Sequence, residues 1–169
     1  MFWAIATILA TAEMREGDRY LAALPMFHVG SLTPITANLY LGGTSVVMKE
    51  FDPVRAWQLF DEEKITSGLL VPAMLNFMIQ VEQKNQFDRS NLRWIQSGAS
   101  PLPVSLIEKY LEMNIDIHQV YGLTESCGPA CLITGTDAVE KIGSTGKAFF
   151  HTEVRVVDED GDDVEPSVQ

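Results

Sequence analysis

Two segments of this chain hold the side chains best suited to chemistry. In the later one, Gln119-Val120-Tyr121-Gly122-Leu123-Thr124-Glu125-Ser126, an aromatic ring, a glycine, a hydroxyl and a carboxylate fall within five residues, directly after an apolar run. Thr124 offers a neutral hydroxyl to a phosphate oxygen, and Glu125 offers a hard carboxylate suited to Mg²⁺. Gly122 lets the backbone come close to a ligand, and Tyr121 presents a flat face for a purine. The same residues also fit a strand followed by a helix that Thr124 caps, with Glu125 in its first turn. In the earlier segment, Pro25-Met26-Phe27-His28-Val29-Gly30-Ser31, His28 stands between a strand-like stretch and a small-residue helix start. A histidine there can position a carboxylate near neutral pH, or it can be a satisfied loop residue. Ser97-Gly98-Ala99-Ser100-Pro101 reads either as a tight turn or as a small-residue wall against which a base or substrate lies.

The elements that must carry these segments alternate. Met1 to Ala12 is apolar at helical spacing, and Tyr20 to Leu24 is a buried strand ended by Pro25. A helix follows over Gly30 to Tyr40, then a β-branched strand from Thr44 to Met48. Asp52-Pro53 opens a helix running to about Glu63, with Asp as the cap and Pro at the first position. Ser67 to Val71, Arg93 to Gln96 and Asp116 to Val120 are further strands, separated by helices after Pro72 and from about Pro103 to Met113. Strands alternating with helices predict an α/β fold, a parallel βαβ sheet flanked by helices. Ligands of such sheets sit beyond the carboxyl ends of the strands. His28, Val71-Pro72, Ser97-Gly98 and Tyr121-Gly122 all follow such ends and are expected to line one crevice. The pattern changes near the end of the chain. Glu153 to Val157 alternates, Asp160-Gly161 signals a hairpin and Val164 starts a return strand. We therefore expect an α/β unit over 1–150 and the start of a small antiparallel β element over 151–169.

Composition narrows the function classes. A chain of 169 residues that is 46% hydrophobic can bury one substantial core. Net charge is −11, and Glu153 to Glu165 alone holds seven acids against one arginine. That balance excludes the basic stripe that nucleic-acid binding requires. The apolar N-terminal run is too short to span a bilayer and has no basic leader, although Ala10-Thr11-Ala12 imitates a secretory cleavage site. Its abrupt start suggests a chain that begins inside a larger protein. Cys127 and Cys131 have no further cysteines beside them, so both read as apolar fillers of a reduced, cytoplasmic protein. Gly143 to Lys147 imitates the tail of a phosphate-binding P-loop, but Lys141 and Ala148 stand where that motif needs Gly and Ser or Thr. Ser144 and Lys147 match a serine β-lactamase tetrad without its companion segment.

Taken in order, Pro-Met-Phe-His at 25–28, Ser-Gly-Ala-Ser-Pro at 97–101, Tyr-Gly-Leu-Thr-Glu-Ser at 121–126 and Gly-Ser-Thr-Gly-Lys at 143–147 resemble the AMP-forming acyl-CoA synthetases. Asp158-Glu159-Asp160-Gly161 matches the hairpin expected after them. The resemblance implies one subdomain of the large domain of an adenylate-forming enzyme. Such enzymes convert a carboxylic acid and Mg-ATP to an acyl-adenylate, then exchange AMP for the thiol of coenzyme A. By resemblance Thr124 contacts the α-phosphate and Glu125 ligates Mg²⁺. Ser97, Gly98, Ala99, Ser100, Gln119, Tyr121 and Gly122 hold the nucleotide, while His28, Val71, Met74, Gly98 and Gly122 border the acyl group. Amino-acid-activating relatives usually carry Asp at the position of His28, to pair with the α-ammonium. A histidine there implies a fatty or aryl acid without an α-amine.

Other family features have no match. The Ser/Thr/Gly-rich phosphate loop, the ribose-binding Asp and the C-terminal lysine are absent from the chain. The expectation is a central slice of such an enzyme, inactive alone, with cut edges that favour self-association. The rival readings are a non-catalytic truncated relative that binds nucleotide or a partner, and an amino-acid-activating adenylation domain.

Overall fold

The computed structural model describes residues 1–165. Its centre is one sheet in the order β2-β1-β3-β4-β5-β6-β7. Strands β1 (Arg19–Ala22), β2 (Thr44–Val47), β3 (Ser67–Leu69), β4 (Trp94–Ser97) and β5 (Ile117–Leu123) pair in parallel. β6 (Gly128–Leu132) and β7 (Lys147–Ala148) extend the sheet antiparallel. The chain moves from β1 outward to β2, then returns past β1 to β3. The carboxyl ends of β1 and β3 therefore form a topological switch point, where open α/β sheets take their ligands.

Helices cover both faces because the strands are apolar on both. α3 (Pro53–Glu62), α4 (Pro72–Ile79) and α5 (Val104–Leu111) cover one, burying Trp57, Phe60, Leu75, Met78, Ile107 and Tyr110 against Leu21, Ile95 and Ile117. α1 (Phe2–Thr11) and α2 (Val29–Tyr40) cover the other, where Ile5, Ile8 and Ile35 meet Tyr20, Ala22, Leu69 and Trp94. Neighbouring residues divide between the two cores, Tyr20 from Leu21 and Trp94 from Ile95, as the two-residue period of a strand requires. Two large side chains on the first face have their buried polar tips satisfied. Trp57 Nε1 donates to the Met78 carbonyl at 2.9 Å and the Tyr110 hydroxyl to that of Leu75 at 2.8 Å.

Local signals explain most boundaries. Asp52 caps α3 by accepting the Arg55 N–H at 2.6 Å, with Pro53 in its first turn. His28 caps α2 through a ring nitrogen. At the amino end of the sheet the buried Asp18 carboxylate accepts from Arg93 Nη2 at 2.6 and 2.7 Å, from Thr66 Oγ1 at 2.8 Å and from the Arg15 N–H at 2.7 Å. One carboxylate thus ties the starts of β1, β3 and β4.

Two sequence expectations need correction. β5 does not stop at Val120; it runs on through Tyr121-Gly122-Leu123 and turns at Thr124–Cys127 into β6. No helix starts at Thr124, because the antiparallel partner β6 takes up the backbone groups that a helix would have used. Cys127 is no core filler: it is exposed at φ +57° in that turn, while Cys131 is buried in β6. The antiparallel element expected near the C-terminus begins as a bridge between Val157 and Asp163, around a turn that the Asp158 carboxylate closes by accepting the N–H groups of Asp160 and Asp162. Residues 166–169, the end of the proposed 151–169 element, lie outside the described residues.

Candidate active site

A cavity of about 240 Å³ opens at the switch point, between the strand ends and the layer of α1 and α2. An engineered cavity of roughly 150 Å³ is enough for benzene, so this one admits an aryl group or a short acyl chain. Its wall is mostly apolar, with Ile8, Leu24, Leu69 and Phe149 among its residues.

The loop after β1 brings His28 to the mouth. Its Nδ1 accepts the Gly30 N–H at 3.1 Å, which caps α2 and sets the neutral ring as the Nε2–H tautomer. The exposed ring thus keeps one donor for a ligand. Val71, the residue before Pro72 at the start of α4, stands on the same wall. Met74 does not; one turn into α4, it packs against the opposite core. Gly98 and Ala99 follow β4, and both belong to the wall. Gly98 has no room for a side chain, because a Cβ there would overlap the Val120 carbonyl oxygen. Ala99 holds φ +69° in the sharp turn that follows, with Ser100 exposed beyond it.

The hairpin of β5 and β6 forms the remaining side. Gly122, Gly128 and Pro129 at its base are wall residues. A register shift between Tyr121 and Gly122 marks a bulge, and a Cβ on Gly122 would overlap the Gly128 carbonyl oxygen. The base also rests on the first turn of α2, where Gly128 faces Val29 and Thr33. The His28 loop and the Tyr121–Ser126 segment, ninety-odd residues apart in the chain, therefore meet. Ser126 fastens the turn: its Oγ accepts the Leu123 N–H at 3.0 Å and lies within hydrogen-bonding reach of the Leu123 and Gly128 carbonyls. Thr124 and Glu125 project from the turn, exposed and with no side-chain hydrogen bond among the described residues. Tyr121 is half exposed and, being one residue out of phase with Val120 and Gly122, is not on the cavity wall.

Two of the sequence candidates lie on the opposite side of the sheet. Ser97 and Gln119 are register partners buried on the other side of the sheet from the cavity residues Gln96 and Val120. Gln119 Nε2 donates to the Ser144 carbonyl at 2.8 Å and so anchors the Gly143–Lys147 turn. Sequence reasoning missed Trp94 and Gln96, which line the cavity from inside β4. Their signal was parity, since both lie an even number of residues before Gly98.

His118 is buried behind this wall, its ring stacked on Trp94 at 5.9 Å between centroids and 22° between planes. Burial pushes its pKa below the ordinary 6.5, against the pull of Asp116 and Glu13 and with the help of Arg93. The unfolded chain takes up this proton near 6.5 and the folded chain only at lower pH. The contribution is therefore intact above 6.5 and is lost as pH falls below it. The free energy of urea unfolding is expected to drop as pH falls below 6.5, by at most about 1.4 kcal/mol per pH unit, and His118→Gln is expected to flatten that limb. An unchanged slope in the variant would refute the assignment.

Among the described residues no group of three or more His, Cys, Asp and Glu side chains forms a metal cage. The lone, exposed Glu125 fits a Mg²⁺ ion whose other ligands are phosphate oxygens and water, the usual manner of Mg²⁺ at nucleotide sites. No helix among the described residues is long and apolar enough to cross a membrane.

This geometry is that of an α/β domain with a ligand cleft at its switch point, flanked by an antiparallel hairpin. A family model described as AMP-binding enzyme matches residues 1–169, and the chain belongs to that family. The long-chain-fatty-acid–CoA ligase FadD13 of Mycobacterium tuberculosis is 41% identical over 152 residues, which cover 90% of this chain and 30% of that protein. The indoleacetate–CoA ligase of Aromatoleum aromaticum is 36% identical over 165 residues, 97% of this chain and 32% of that one. The crystal structure of the N-terminal domain of FACL13 from Mycobacterium tuberculosis superposes with a TM-score of 0.89 at 40% identity, covering 96% of this chain and 41% of that one. The chain thus spans about a third of the length of the curated relatives it matches.

Proposed function

We propose that this chain is the acid- and nucleotide-facing part of an ATP-dependent, AMP-forming acid–CoA ligase. The observation that carries the reading is the convergence of the His28 loop and the Thr124–Glu125 hairpin on one apolar cavity, in a chain matched throughout by the AMP-binding family. The apolar body of a carboxylic acid fills the cavity, and its carboxylate lies at the mouth. There the carboxylate oxygen attacks the α-phosphorus of ATP, and the bond from that phosphorus to the departing pyrophosphate breaks. Two anions must approach each other, so donors placed at the mouth lower the barrier. Thr124 Oγ1 donates to a phosphate oxygen, and the Nε2–H of His28 orients the acid. Mg²⁺ held by Glu125 would neutralise phosphate charge. The thiol of coenzyme A then attacks the acyl carbon and AMP leaves. With His28 in place of a carboxylate at the acyl end, an α-ammonium has no counter-charge, which favours fatty or aryl acids. The cytoplasm, which holds ATP and coenzyme A, is the compartment this chemistry fits.

The test is acid-dependent pyrophosphate release by the full-length protein, with fatty, aryl and amino acids as the panel. Fatty or aryl acids should support release, and Glu125→Gln should lower it about a hundredfold, the scale of losing one preorganised charge-stabilising group. The 169-residue chain alone should show none. Amino acids alone as substrates, or Glu125→Gln at the unsubstituted rate, would defeat the proposal.

A further inference from the structure

Four residues on the cavity side of the sheet end in polar atoms with no partner among the described residues: Ser67 Oγ, Trp94 Nε1, Gln96 Nε2 and His118 Nδ1. All four are more than nine-tenths buried. They are also contiguous, since Ser67 is in register with Trp94, and Gln96 with His118. An isolated buried orphan can be an accident of one rotamer. Four on one patch of sheet are not, because folded proteins pair nearly all buried polar groups. Trp94 and Gln96 belong to the cavity wall itself, and the other two lie beside them.

A cavity made only for a hydrocarbon would place aliphatic side chains at these positions, as it does at Leu69 and Ile8. The indole N–H can only donate, and the glutamine amide offers two further N–H donors. What they lack is an acceptor. Their depth is set by the strand: at about 3.3 Å per residue, Gln96 lies about 7 Å and Trp94 about 13 Å along β4 from Gly98. Gly98 adjoins the hairpin strand at Val120, so these donors sit toward the interior end of the cavity, away from the reacting carboxylate.

We infer that Trp94 and Gln96 are specificity-determining residues that read a hydroxyl or keto oxygen on the body of the acid, away from its carboxyl group. The inference rests on the acid-activating reading above and refines it. The substrate is an oxygen-bearing aryl or acyl acid, and its bare hydrocarbon counterpart is the poorer ligand because it leaves the donors unmatched.

The test uses the full-length protein and pairs of acids that differ by one oxygen. Suitable pairs are 3-phenylpropanoate with its 4-hydroxy derivative, and octanoate with its 7-oxo and 7-hydroxy derivatives. The readout is kcat/KM for acid-dependent pyrophosphate release. The oxygenated member of at least one pair is expected to lead by about tenfold or more. Gln96→Leu and Trp94→Phe are each expected to lower that lead, the ratio of kcat/KM between the oxygenated and the bare acid, about tenfold. Trp94→Phe keeps an aromatic ring for stacking on His118 and removes the N–H, so it guards against a general loss of folding. Equal or better use of the bare acid in every pair would overturn the inference, as would variants that slow both members alike. Release with bare acids alone leaves the acid-activating reading standing; release with no acid at all removes both.

Discussion

Alanine in place of Gly122 is expected to give the largest loss of activity of any single methyl added to this chain. The added carbon would overlap the Gly128 carbonyl oxygen and approach Pro129 at 3.2 Å from its Cα. Both neighbours are backbone, so neither can swing aside as a flexible side chain would. The strands must part at the bulge between Tyr121 and Gly122, where the register is already shifted. Overpacking of this kind costs about 1–3 kcal/mol of stability. The functional loss should be greater, because Thr124 and Glu125 hang from the strand that moves. A displacement of about 1 Å at a group that must meet a phosphate can cost about a hundredfold in rate. Pyrophosphate release by the full-length Gly122→Ala protein should therefore fall a hundredfold or more. Normal release, or a loss of stability with no loss of rate, would show that the hairpin tip takes no part in the chemistry.

Asp18→Ala is expected to give the largest loss of stability among surface-distant polar changes, with the cavity untouched. Asp18 is 4% exposed and holds Arg93, Thr66 and the Arg15 backbone at once. Its removal leaves a partly buried guanidinium without its counter-charge. Breaking a buried pair from one side costs roughly 3–5 kcal/mol, and the partial exposure of Arg93 places this case near 3. The exposed pair of Arg155 and Asp163 is the internal control, since such pairs contribute about 0–1 kcal/mol. Urea unfolding of the two variants, Asp18→Ala and Asp163→Ala, separates the cases: the first midpoint should fall steeply and the second barely move. Equal shifts would mean that Asp18 is no linchpin of the sheet.

The parallel half of the fold was legible because its signals are local. Asp52-Pro53 declares a helix start through one cap bond and one fixed φ, and both are present. The β-branched run at Thr44 and the apolar runs at Tyr20 and Ser67 declare buried strands without reference to anything distant. The antiparallel half was not legible. Tyr121 to Leu123 has a strand's composition, but whether it continues or caps a helix depends on β6, which lies across a four-residue turn. β6 itself contains Gly128 and Pro129, residues that weaken any strand reading taken locally. The site divides the same way. His28, Val71, Gly98 and Gly122 could be placed on one crevice because each ends or follows a strand. Gln119 could not be assigned its true partner, a carbonyl 25 residues away, from sequence alone. Trp94 and Gln96 were hidden by a rule that looks only past strand ends, whereas this cavity reaches down the face of the sheet.

The separation of the two cores has an evolutionary consequence. Leu21, Ile95 and Ile117 hold α3, α4 and α5 in place, while their immediate neighbours Tyr20, Trp94 and Gln96, and His118 face the cavity side. Mutational drift among the cavity-side residues can therefore retune ligand choice while the opposite core continues to hold the sheet. Stability and specificity are written in alternate letters of the same strands, so a lineage can edit one text and leave the other readable.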